Sequence, residues 1–470
     1  MLGSSLPLFP PPNPPPLRGG GHPKSAVRSW ALCAAFALTG LFGCAGHEDR
    51  TRTALEALDR GHPREAIAAL DEEMDVGSAG QLPAELEGDN AILVLDRATV
   101  QMSIGDHKSS LRDFGAADKA IEVLDLSPNA AGDVGRYMFS DDVGTYKAPA
   151  YEKLLLNTIN MMNYLAVGDL TGAKVEARRL AVIQKYVKDH EEENDLLGVG
   201  SYLAGFAFEK AGDRDEALIF YDEALKHSQY QSLRDPLRVL TGGAKRSPGI
   251  DALVAGAGPM PSTAETGEGE ILVVVGFGRI PQKVPVRIPI GLALTIVAVH
   301  MSPRDHARAN ELAAKGLVTW INYPTLGRGK GGYSAPSFEV DGRQVAMEEA
   351  LDVEGEVRAA WKKREPTVIL SAITRMLTRM VAGEVAQAAT EKDGSPVGLL
   401  VGLATTATLA VLDTPDTRCW ATLPSRIAIA RLRVPAGRHE VRLHARGVTK
   451  VTTVDVRPGG WAFVNHMALR

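Results

Sequence analysis

Cysteine is nearly missing from this chain and aromatic residues are scarce. The three cysteines lie far apart among 470 residues, so neither a disulfide framework nor a closed zinc site can be built from them. A basic excess is missing as well. The 52 lysines and arginines face 57 acids, a net charge of −5 that argues against a nucleic-acid binder. What is present, 45% hydrophobic and 23% charged residues, is too apolar for a disordered chain and too charged for a multi-span membrane protein. At about 150 residues per domain, the length suggests about three domains.

Residues 1–43 contain no acid and three positive side chains, Arg18, Lys24 and Arg28. Eight of the 28 prolines fall in the first 23 residues, a tract that cannot pack as an element. An apolar run from Trp30 to Gly43 then ends at Cys44. It is too short to cross about 30 Å of hydrocarbon but suits a secretory signal. Leu41-Phe42-Gly43-Cys44 resembles a bacterial lipobox, which implies lipidation of Cys44 after cleavage before it; the alternative is an uncleaved anchor helix. A start at Val27 would leave a compact signal, making residues 1–26 a gene-model artefact. Ala45 stands where Asp would favour inner-membrane retention, so the outer membrane, facing the periplasm, is the expected site. Once Cys44 carries lipid, Cys419 has no partner within the chain.

From 44 to 238 a local pattern occurs four times: Gly61…Ala66, Gly105…Ser110, Gly168…Ala173 and Gly212…Ala217. Each sets a small residue five positions after a glycine, between two amphipathic runs. The glycine ends one helix in a left-handed turn and the small residue lets the next helix pack closely. The last unit resembles a tetratricopeptide (TPR) repeat, with Gly205, Phe208, Ala217, Tyr221 and Ala224 at its small and aromatic positions. Met161, Met162 and Tyr164 read as core, with a partner-binding surface as the alternative. The insert 136–144 reads as a long loop.

Gly, Pro, Ala, Ser and Thr dominate 239–268, which reads as a flexible linker. A mixed β/α domain is expected over 269–412. Glu270–Gly276 reads as a buried strand, joined through a Phe277–Pro281 hairpin loop to an alternating strand over Lys283–Ile290. Leu292–Val299 is a strand or short helix, and Glu348–Glu391 a long helix broken near Pro366. The apolar segment 397–411 is read as a buried helix. Residues 413–470 are expected as an antiparallel β-module of two hairpins, turning at Pro435–Gly437 and Pro458–Gly460, and they resemble PEGA modules of bacterial envelope proteins. The fold class is α+β.

Catalytic and cofactor motifs are wanting. Gly276-Phe-Gly278 lacks the third glycine of a dinucleotide fingerprint, with Pro281 in its place. Gly327–Gly332 lacks the first P-loop glycine and a Ser or Thr after Lys330, and reads as a mobile basic loop. His300 and His306 lack zincin spacing, and Cys419 reads as buried rather than nucleophilic. No catalytic residue, metal site or cofactor is assigned. Asp416, Arg418 and Trp420 are the candidate recognition loop, with a structural ion pair as the alternative.

Phe277–Pro289, Trp320–Leu326, Ile373–Arg379, Asp416–Pro424 and Pro435–His439 together resemble a family of poorly characterised bacterial TPR lipoproteins. Members are often encoded near lipoprotein activators of penicillin-binding proteins. The resemblance implies a lipid-anchored, non-enzymatic scaffold that holds an envelope protein through its repeats, linked to peptidoglycan synthesis. An envelope hydrolase, or a secretion or polysaccharide-export accessory, is the competing class.

Overall fold

The computed structural model describes residues 46–86, 89–123, 146–190, 196–314, 320–330, 334–391 and 414–470. Cys44 with the segment before it, the insert at 136–144 and the apolar stretch 397–411 lie outside these residues.

Helices occupy the first part of the chain, in pairs, with a short parallel strand pair, β1 (Glu122–Val123) and β2 (Lys147–Ala148), between the second and the third. α1 (His47–Asp59) packs on α2 (Pro63–Glu73), α3 (Asp89–Ser103) on α4 (His107–Ala120), α5 (Ala150–Ala166) on α6 (Leu170–His190), and α7 (Leu196–Ala211) on α8 (Arg214–His227). One turn geometry joins all four pairs. Gly61, Gly105, Gly168 and Gly212 have φ between 76° and 85°, which only glycine adopts without strain. Their N–H groups reach Leu58, Met102, Leu165 and Glu209 O, and the following N–H reaches Ala57, Gln101, Tyr164 and Phe208 O. These bonds satisfy carbonyls that the helix end leaves unpaired. The residue after the glycine then accepts from Ala66, Ser110, Ala173 or Ala217 N–H. Each of those four side chains is fully buried, since it faces the preceding helix.

α3 is buried at every position from Ala91 to Met102, and α7 from Leu196 to Phe208. A helix buried all round needs cover on two sides. The second helix of each pair covers one. The other is covered by a four-stranded sheet ordered β12 (Trp461–Ala468), β3 (Glu268–Phe277), β9 (Arg426–Pro435), β8 (Glu348–Asp352). Leu272 and Val274 of β3, Ile427 and Ile429 of β9, and Met467 of β12 join the helical core. On the opposite face Ile271, Val273 and Val275 pack with Phe338, Val441 and Leu443 of a second sheet. That sheet is ordered β11 (Val448–Val456), β10 (Gly437–Ala445), β6 (Ser337–Val340), β7 (Arg343–Val345). The layers are therefore helices, sheet, sheet. β4 (Lys283–Pro289) and β5 (Trp320–Leu326) pair apart from both sheets, and with α12 (Ile290–Val297), α13 (Pro303–Ala314) and α14 (Val353–Glu391) they enclose a third core.

Several sequence expectations change here. The 413–470 segment is not a separate module. β12 runs parallel to β3 (Trp461 opposite Glu270) and β9 antiparallel to it (Leu432 opposite Ile271), so a strand from residue 268 onward lies between two C-terminal strands. β3 and β4 form no hairpin, nor do β9 with β10 or β11 with β12. The hairpins lie instead at Asp341-Gly342 (φ 52° and 79°), between β6 and β7, and at Arg446-Gly447 (φ 54° and 75°), between β10 and β11. Two successive positive φ angles are what a two-residue turn needs to match strand twist. Glu348–Asp352 is strand, because it extends the sheet along β9. The long helix runs through Pro366 without breaking. Within 239–268, Ser247 caps α10 (Pro248–Leu253) and a Ser262–Glu265 capping box starts α11 (Thr263–Thr266). Caps of this kind order short helices that composition reads as linker. α9 (Arg234–Thr241) precedes them.

Candidate functional site

The Asp416–Pro424 stretch lies against the inner helices. It has no strand or helix of its own, so its backbone groups need partners from elsewhere. α1, α3 and α5 provide them. Trp420 N–H donates to Glu152 Oε1 (3.2 Å) and Thr422 N–H to Asp96 Oδ1 (2.8 Å); Cys419 O accepts from His47 Nε2 (3.1 Å). Trp420, 0% exposed, donates its indole N–H to Thr99 Oγ1 (3.0 Å) and meets the Phe114 ring edge-on at 5.6 Å. Arg418 grips Asp416 through Nε (2.8 Å) and Nη2 (2.9 Å), and its guanidinium lies 5.7 Å from the Tyr146 ring centre. Thr417 donates to Glu48. Arg418 and Trp420, candidates for recognising a partner, are thus buried and engaged within the chain; Asp416 is partly exposed.

Burial governs the electrostatics of this seam. It pushes Asp96 up to about 7, outweighing the Thr422 hydrogen bonds, and pushes His47 down to about 4. Asp96 Oδ2 and His47 Nδ1 have no hydrogen-bond partner, and Oδ2 lies 4.0 Å from His47 Nε2. Glu152 is also raised by burial, and accepts from Tyr146 Oη at 2.8 Å. Burial lifts the Cys419 thiol to about 12. A nucleophilic cysteine needs the reverse, a thiolate beside a base. His47 instead bonds the Cys419 carbonyl.

A second cluster joins the last helix pair to β3 and β9. Arg431, 1% exposed in its side chain, bridges Glu209 and Glu270 at 2.7 Å each. Lys210 pairs with both acids. Arg431 Nη1 donates to Tyr221 Oη (2.9 Å), and Tyr221 Oη donates to Glu209 (2.5 Å). Burial would raise Glu209, but Arg431 and Lys210 outweigh it and hold the carboxyl at about 2. The TPR-like positions sit around this cluster. A Cβ on Gly205 would lie 2.5 Å from the Tyr221 ring, Phe208 stacks on Phe220 at 5.3 Å, and Ala217 and Ala224 are fully buried. Sequence reasoning missed Arg431. Its signal was phase: Arg431 continues the Ile427, Ile429 face of β9, which packs on the helices.

The remaining candidates are placed as follows. Met161 and Met162 are fully buried and Tyr164 partly. Gly278 has φ 68° and opens no helix. Lys330 exchanges backbone hydrogen bonds with Arg279 (2.6 and 3.0 Å) and its ammonium reaches Asp59 at 3.0 Å, so the described part of the basic loop is pinned. His306 accompanies Asn310 on α13. Among the described residues no group of three His, Cys, Asp or Glu could hold a metal, and no helix is long and apolar enough to cross a membrane.

No protein-family model matches the chain, and no curated protein does. Among solved structures, the crystal structure of MamA is similar at 14% identity, over 43% of this chain and 86% of that one, with a TM-score of 0.25.

Proposed function

We propose that this protein is a membrane-anchored, non-enzymatic envelope lipoprotein that acts as a protein–protein scaffold. Cys44 carries the lipid at the outer membrane, on the periplasmic side. The paired helices are TPR-like hairpins, and the C-terminal strands carry the PEGA-like resemblance within a larger sheet assembly. Machinery of peptidoglycan synthesis is the partner class.

One observation carries the choice of scaffold over enzyme. The titratable groups gathered at the seam, His47, Asp96, Glu152 and Cys419, are buried, and they hold the chain's own Cys419–Thr422 stretch. A hydrolase needs such groups at a concave surface that admits substrate. The inner helices, where repeat proteins usually hold a ligand, are covered by the chain's own sheet. A partner is therefore assigned to the outer surfaces.

Crosslinking in living cells, followed by mass spectrometry, tests this reading. Recovery of wall-synthesis proteins is expected. Channel subunits in their place would favour the export-accessory reading, and turnover of peptidoglycan by the purified protein would overturn the scaffold.

A further inference from the structure

A cavity of about 270 Å³ opens between α1 and the Arg279–Gln282 and Arg328–Lys330 segments. It is slightly smaller than the ~300–1,000 Å³ of sites for drug-sized ligands. Four acidic and four basic side chains line it, with Leu55, Ile280 and Ala421 as an apolar floor. Such a lining balances to zero formal charge, and so favours neither a pure anion nor a pure cation.

Most of these charges are already paired: Asp49 with Arg52, and Asp59 with Arg279 and Lys330. Two are exposed and have no ion-pair partner among the described residues, Glu56 and Arg328. At the back, Arg279 is only 3% exposed in its side chain and is already engaged, with Leu55 O and with Asp59. The cavity thus offers an acceptor for a cation at Glu56 and donors for an anion at Arg328.

Glu48, on the first turn of α1, also lines the cavity. It stands only four positions after Cys44, a span of at most about 14 Å. A lipid on the Cys44 sulfur would set that residue at the headgroup level of the bilayer, bringing the cavity within reach of the same layer. We propose that the cavity binds the zwitterionic headgroup of a membrane phospholipid bearing a primary ammonium, with the phosphate on Arg328 and the ammonium on Glu56. The site then fixes the orientation of the scaffold on the membrane that its anchor reaches. This inference rests on the lipoprotein reading.

The test uses the Gly46–Arg470 unit, which packs as one compact body, so that no anchor contributes. Its binding to vesicles of phosphatidylethanolamine, phosphatidylcholine and phosphatidylglycerol is measured by co-sedimentation, with soluble O-phosphoethanolamine as competitor. Preference for phosphatidylethanolamine is expected, with about tenfold weaker binding in each of Glu56→Gln and Arg328→Ala. Both residues are exposed, so their variants should fold, and unchanged thermal melts check this. Equal binding to all vesicles, or variants that bind like the parent, overturns the proposal. Binding of soluble O-phosphoethanolamine with no vesicle preference overturns the membrane source. A free Cys44 thiol in cells would instead defeat the lipoprotein reading, a separate outcome.

Discussion

Trp420 donates its indole N–H to Thr99 Oγ1 at 3.0 Å, across 321 positions of sequence. The contact closes the helical half of the chain over a segment from its far end. Trp420 also packs on Phe114 and is wholly buried, so the joint is both polar and apolar.

Replacing Trp420 with Ala should therefore cost about 3–5 kcal/mol, the range for deleting a buried aromatic. Trp420→Phe should cost less, keeping the ring but losing the hydrogen bond. Urea denaturation followed by circular dichroism would rank the two, and equal losses would contradict the apolar part of the joint.

Asp96 and His47 impose opposite pH dependences. Asp96 titrates near 7 when folded and near 3.8 when unfolded. Between those values the native state holds more protons, so stability falls as pH rises. His47 titrates near 4 when folded against 6.5 unfolded, so over that window its contribution rises with pH. In the parent the two slopes oppose each other from about pH 4 to 6.5. Asp96→Asn removes the falling contribution, so from pH 4 to 6.5 the stability of the variant should gain on that of the parent as pH rises. Denaturation at stepped pH reads this directly.

Arg431→Met should destabilise by about 3–5 kcal/mol, because it leaves buried Glu209 and Glu270 facing Lys210 alone. Adding Glu209→Gln should cost much less in that background than in the parent. Additive losses in a double-mutant cycle would show that the two groups are not coupled.

Two glycines separate crowding from backbone strain. Gly205→Ala drives a methyl into the Tyr221 ring and should cost about 1–3 kcal/mol by overpacking. Gly212→Ala meets nothing within 4 Å but must hold φ +85°, about 1–2 kcal/mol of strain. A Tyr221→Leu background should soften the first loss and leave the second unchanged.

Local features were legible in the sequence and long-range pairings were not. The Gly61, Gly105, Gly168 and Gly212 turns show as a spacing because each is fixed within six residues of chain. The β3 strand shows because its apolar run is covered on both faces, by helices on one side and a sheet on the other. Its neighbours β12 and β9 lie more than 140 residues away, and adjacency in sequence suggested hairpins that do not form. Asp341-Gly342 is a strong two-residue turn signal in its own right and was readable. Arg418 and Trp420 stand out in sequence for their chemistry, yet that chemistry serves contacts within the chain; only the positions of Asp96, Thr99 and Glu152 reveal it.

The tryptic peptide that contains Cys44 tests the lipid anchor most directly. Mass spectrometry of the protein extracted from its own membranes should find Cys44–Arg50 as the N-terminal peptide, carrying a thioether-linked diacylglyceryl group. Recovery of Ser29–Arg50 as one uncut peptide with a free thiol at Cys44 would contradict it.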